Sequence, residues 1–155
     1  CFLVYALEPA LLQICRQYFP EGRVMHQVTP LLKDFRNRAS RTDYSVFANM
    51  RNQVVQIAVF DRLNLLFYNT FECQKPGDLL YFVLLAYDQF RLSPEEIQLT
   101  IAGYLPEDSD AYRLLARYVR NIRFTAGPES SQLPVQAFHE PAHYWFDLFA
   151  VATNP

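Results

Sequence analysis

Three β-rich runs separated by two-residue polar breaks constrain this chain more than any other feature. Tyr44–Met50, Gln53–Phe60 and Leu63–Phe71 are rich in β-branched and aromatic residues, and only Arg51-Asn52 and Asp61-Arg62 stand between them. A link that short cannot carry a crossover, so it makes a hairpin. The runs therefore predict a three-stranded antiparallel meander. In the middle run Val55, Ile57 and Val59 alternate with Gln56 and Ala58, which predicts one better-covered face.

Downstream the apolar period changes. Pro76-Gly77-Asp78 opens a helix to about Phe90, and Leu79, Leu80 and Phe82 to Ala86 leave it almost no polar face, as in a central buried helix. Ser93-Pro94 breaks it. Ile97–Ala102 reads as a strand of the buried, parallel type. Asp108-Ser109-Asp110 supplies N-cap residues for a helix through Asn121, with Leu114, Leu115, Tyr118, Val119 and Ile122 inward. Ile122–Thr125 is a last short strand, Gly127–Leu133 a linker, and Pro141–Val151 a short amphipathic helix. Right-handed crossovers place the two later strands parallel to the first. The expected architecture is α/β: a five-stranded mixed sheet with helices on both faces.

Upstream, CFLVYALEP reads as an incoming strand and Glu8–Tyr18 as a helix with an apolar stripe of Leu11, Leu12, Ile14 and Cys15. Val24–Val28 reads as a short strand. Pro30 suits the first turn of a helix over Leu31–Ala39.

Composition narrows the function classes. With 155 residues, the chain is expected to form a single domain, residues 1–155. At 51% hydrophobic and 19% charged residues it is no disordered chain. Fourteen basic against sixteen acidic residues exclude a generally basic nucleic-acid binder. No run reaches the length of a membrane span. Cys1, Cys15 and Cys73 lack metal-ligand spacing and read as reduced thiols of a cytoplasmic protein. A start at Cys1 rather than Met reads as a fragment or a trimmed chain.

The segments LLFYNTF (65–71), GDLLYFVLLAYDQFRLSPE (77–95) and LTIAGYLPEDSDAYRLLARYVRNIRF (99–124) carry a resemblance. They resemble a bacterial family of unknown function that is similar in fold to actin-like ATPases. HYWFDLF (143–149) fits that family's terminal helix less distinctively. The resemblance implies a ribonuclease-H-like unit, the second and C-terminal lobe of a two-lobe actin-like protein. Active relatives carry D-x-G-x-x-x-T at the first hairpin, where backbone N–H groups approach phosphate and the Asp acts through a metal-bound water. The matching stretch here, Ala48 to Val54, has neither the Asp nor the Gly. Relatives also place a Gly-Gly pair beside the adenosine; here only Gly103 remains, followed by Tyr104. The resemblance thus makes Asn49, Arg51, Asn52 and Gly103 the nucleotide-facing positions. It also implies a degenerate cleft, a pseudo-ATPase with no resident cofactor.

Other chemistry is weaker. His139-Glu140-Pro141-Ala142-His143 matches H-E-x-x-H, the pattern that puts two zinc ligands on one helical face. Pro141 spoils that geometry by disfavouring helix at Glu140. Asp147 is too close to serve as the usual distant third ligand, so the metal reading is rejected. Lys33, Arg36, Arg38 and Arg41, and Arg113, Arg117, Arg120 and Arg123, read as solvated faces with no nucleic-acid role. The expectation is a non-enzymatic scaffold or assembly module with a protein partner or its own copies. The rivals are an ATPase using ATP and Mg with catalytic groups from a preceding lobe, and a zinc hydrolase.

Overall fold

The turns that close the meander need backbone that L-residues rarely adopt, and two residues supply it. Asn52 and Arg62 both have φ of 55°, the left-handed conformation that tight hairpins require. In the computed structural model, which describes residues 4–126 and 140–153, they join β1 (Tyr44–Arg51), β2 (Val54–Asp61) and β3 (Asn64–Glu72). Each strand ends one residue later than the sequence predicts. α1 (Pro9–Tyr18) and α2 (Val28–Arg38) precede the meander. After it come α3 (Pro76–Gln89), β4 (Leu99–Gly103), α4 (Asp110–Leu115) and β5 (Ile122–Phe124). A 3-10 turn, Ala142–Trp145, leads into α5 (Phe146–Thr153).

The sheet order is β3-β2-β1-β4-β5. β1 pairs antiparallel with β2 and parallel with β4, and β4 pairs parallel with β5. This is the mixed five-stranded sheet expected from the order of elements. Alternating side chains split the core in two. Val46, Ala48, Val55, Ile57, Leu99 and Ile101 pack under α3 and α4 with Leu79, Val83 and Leu115. Phe47, Ala58, Phe60 and Ala102 pack on the other face with Leu31 and Phe35 of α2 and Phe146 of α5.

Both faces of β2 are covered, against the expectation of one. Every residue from Val55 to Phe60 is buried, because helices close both sides of the sheet.

α3 is covered on one side only. Leu79, Val83, Ala86 and Tyr87 are buried, whereas Tyr81 is 61% and Leu85 40% exposed. α1 buries none of its residues, and Leu11 and Ile14 of its expected stripe are exposed. An amphipathic pattern says that a helix has an apolar face, not that this chain covers it.

Five other expectations change. Residues 4–8 and 22–26 are not in strands. Both edges of the sheet are already set by β3 and β5, and His26 binds locally instead, its Nδ1 accepting from Val28 N–H. α2 accordingly starts at Val28, ahead of Pro30. α4 stops at Leu115 rather than reaching Asn121. Beyond it Arg120 N–H donates to the Pro94 carbonyl, and Asn121 Nδ2 to the Glu95 and Glu96 carbonyls, drawing the chain toward β5. β4 begins at Leu99, because Glu96 and Ile97 N–H close a turn on Ser93 O. The expected linker 127–133 lies outside the described residues.

Candidate functional site

The carboxyl ends of β1 and β4 lie side by side, with Asn49 opposite Ala102 and Met50 opposite Gly103. Asn49 is completely buried. It sits on the α2/α5 face, in alternation with Phe47. Its Nδ2 donates to Gln56 Oε1 at 2.9 Å and to Asp147 Oδ1 at 2.8 Å. Two residues on along the same face, the Arg51 guanidinium donates to Asp147 Oδ2 at 2.9 Å. Asp147 of α5 thus bridges two alternate residues of β1 with its two oxygens. Tyr68 of β3 joins this group. Burial pushes its phenol upward, opposed by hydrogen bonds with Thr70 and Gln56, and the Asp147 charge adds to the rise.

Gly103 closes the site from β4. Its φ is +76°, and Tyr104 N–H, next in the chain, donates to Met50 O at 2.7 Å. A Cβ on Gly103 would stand 2.0 Å from Met50 O and 2.7 Å from Asn49 Oδ1. Tyr104 itself is exposed, its ring 4.7 Å from that of Tyr144.

Of the four residues singled out in the sequence, Asn49, Arg51 and Gly103 therefore meet here. Asn52 lies in the exposed turn beyond them. Asp147, Gln56 and Tyr68 were not foreseen as members. A lone carboxylate in the apolar segment FDLFAVA, and a glutamine between Val55 and Ile57, were the available signals. An isolated polar residue in a buried run needs a hydrogen-bonding partner.

The family described as a protein of unknown function, DUF3822, matches residues 1–122. The chain belongs to this family. A solved structure is similar over 96% of the DUF3822 chain and 52% of its own length, with 23% identity and a TM-score of 0.75. It is a protein from Bacteroides thetaiotaomicron VPI-5482 with an actin-like ATPase fold and unknown function. The DUF3822 chain thus has the actin-like, ribonuclease-H-like fold and spans about half the length of that neighbour. No curated protein matches it.

The H-E-x-x-H string of the DUF3822 chain is only partly described. His139 lies outside the described residues and Glu140 is exposed. The 3-10 turn begins after Pro141, where the proline was expected to set the boundary. Among the described residues no group of three or more His, Cys, Asp or Glu could hold a metal ion. No helix among them is long and apolar enough to cross a membrane. Cys73 is buried, and burial together with Asp78 pushes its thiol up to about 11. The basic residues mix with acids: Arg38 pairs with Asp34, Arg113 with Asp110 and Arg120 with Glu95.

His143 is buried, with its ring 4.2 Å from Phe124. Burial lowers its pKa below the ordinary 6.5, against smaller upward pulls from the Leu105 carbonyl and Glu107. The unfolded chain then binds the proton more readily than the folded one. Stability contributed by neutral His143 is full above about pH 6.5 and declines as pH falls through that value toward the lowered one. Thermal melts at pH 8 and pH 5.5 are expected to separate less in His143→Gln than in the parent. Equal separation in both proteins would contradict this.

Proposed function

We propose that this protein is a non-enzymatic scaffold or assembly module whose nucleotide cleft has been given over to an internal contact. The observation that carries the reading is the two-oxygen grip of Asp147 on Asn49 and Arg51. In the actin-like fold the first hairpin offers its donors to phosphate. Here the donors at the end of β1 are engaged by a carboxylate from the same chain. The residues present do not suit a magnesium-bound triphosphate. A phosphate would have to displace Asp147 or lie against its negative charge, and the Asp and Gly of the phosphate motif are absent. The outward apolar residues Leu11 and Ile14 on α1, and Tyr81, Leu85 and Tyr118 near α3, support a role in protein contacts.

Isothermal titration of the full-length protein with Mg-ATP is expected to show no saturable heat up to millimolar nucleotide. Asp147→Ala frees both donors and is expected to bind phosphate compounds more strongly than the parent. Micromolar binding by the parent with measurable turnover would defeat the proposal in favour of the ATPase. Stoichiometric zinc in the purified protein would favour the hydrolase.

A further inference from the structure

At the amino ends of β1 and β4, on the α2/α5 face, the fold leaves a cavity of about 380 Å³. That volume is within the range of small-ligand sites, about 300–1,000 Å³. Strand register builds its floor. Thr100 stands opposite Phe47 on one side and Arg123 on the other. Phe47 packs against α2 and α5, so its two neighbours share that face, and all three residues line the cavity. Phe47 is buried, Thr100 is half-buried and Arg123 is exposed. The sheet face thus turns from apolar to polar where helix cover stops.

Four charged residues line this one space: Arg38, Arg123, Asp43 and Glu96. No ion pair joins any two of them. Arg38 pairs instead with Asp34, which is not part of the lining. Among the described residues Arg123 has no ion-pair partner at all. Two cations and two anions therefore face a common cavity without closing on each other.

Arg38 is held ready. Asp34 takes its Nε–H, and the guanidinium lies over the Phe146 ring at 5.3 Å. Its terminal N–H groups remain for another acceptor. Hydroxyls add donors. Ser45 Oγ accepts from Ser40 N–H at 2.9 Å, and Thr100 Oγ1 from Gln98 Nε2 at 3.0 Å. Each oxygen is occupied as an acceptor, and each hydroxyl keeps its hydrogen to donate.

The charges of the lining select the guest. A simple anion would be drawn by the arginines and repelled by the acids, and a simple cation the reverse. A molecule carrying both charges gains from both. A carboxylate accepts from guanidinium groups and hydroxyls, and an ammonium group donates to carboxylates. We infer that this cavity binds a free α-amino acid, its carboxylate toward Arg38 and Arg123 and its ammonium group toward Asp43 and Glu96. Phe47 and Ile97 give its side chain an apolar wall. The Asp147 grip lies at the opposite ends of the strands, so this site does not depend on the nucleotide reading.

The test is isothermal titration of the full-length protein with each of the protein amino acids up to about 10 mM. At least one is expected to bind saturably, with a dissociation constant of about 1 mM or tighter. Its N-acetylated form lacks the ammonium charge and its amidated form lacks the carboxylate. Each is expected to bind at least about tenfold more weakly, the loss of one charge-assisted contact. Arg123→Gln and Glu96→Gln change exposed side chains, so both variants keep the fold. Each is expected to weaken the parent's ligand by about tenfold. Three results would overturn the inference. They are no saturable binding by any amino acid, a blocked form that binds as well as the free one, and unchanged affinity in both variants.

Discussion

Replacing Gly103 with alanine is expected to cost this protein about 4 kcal/mol or more, a large part of the 5–15 kcal/mol by which domains are stable. Two effects add. The φ of +76° is one that a residue with a Cβ adopts only under strain, costing about 1–2 kcal/mol. The new methyl would also stand 2.0 Å from Met50 O and 2.7 Å from Asn49 Oδ1. Met50 O is backbone of the neighbouring strand, so it cannot swing aside as a flexible side chain would. β1 and β4 must part where they join, and the buried Asn49 network opens with them. Urea unfolding of parent and variant measures the loss. A cost under about 1 kcal/mol would show that the two strand ends are not held as described.

Phe35→Ala is expected to cost about 3–5 kcal/mol, the range for emptying a buried aromatic site. Phe35 is wholly buried, with Phe47 of β1 stacked at 4.5 Å and Phe146 of α5 at 5.4 Å. It therefore ties α2 to the sheet and α5 to both. Arg38 lies over the Phe146 ring at 5.3 Å and supports the same contact. The loss has a local signature besides the global one. With Phe146 loosened, Asp147 next to it loses its fixed position against Asn49 and Arg51. Amide exchange in α5 should rise more in Phe35→Ala than in Val83→Ala, which empties a site on the opposite face. Equal protection of α5 in the two variants would separate α5 from the Phe35 stack and contradict the packing.

The site was legible in the sequence to different degrees. Gly103 could be noticed because glycines are few and this one ends a strand. Asn49 and Arg51 could be located only by laying the hairpin against the phosphate motif of the actin-like fold. Asp147 could not be found that way. It lies 98 residues from Asn49, and no local spacing connects the two. It entered the sequence reading only as a poor zinc ligand.

The sequence by itself determined the meander, the two parallel strands and the split of helices between the faces. Those follow from nearest-neighbour chemistry: two-residue turns close hairpins, apolar period separates strand from helix, and parallel strands require a crossover. Tertiary structure alone decided which apolar faces are covered. The stripe of α1 and the outer side of α3 are as apolar in sequence as any core helix, yet the chain leaves them open. It alone also decided where α4 ends, since the Pro94, Glu95 and Glu96 carbonyls that draw residues 120–121 away belong to a distant turn. It brought the Asp147 carboxylate to the end of β1, because a hydrogen bond between distant residues exists only once helix, sheet and aromatic stack have fixed their separation.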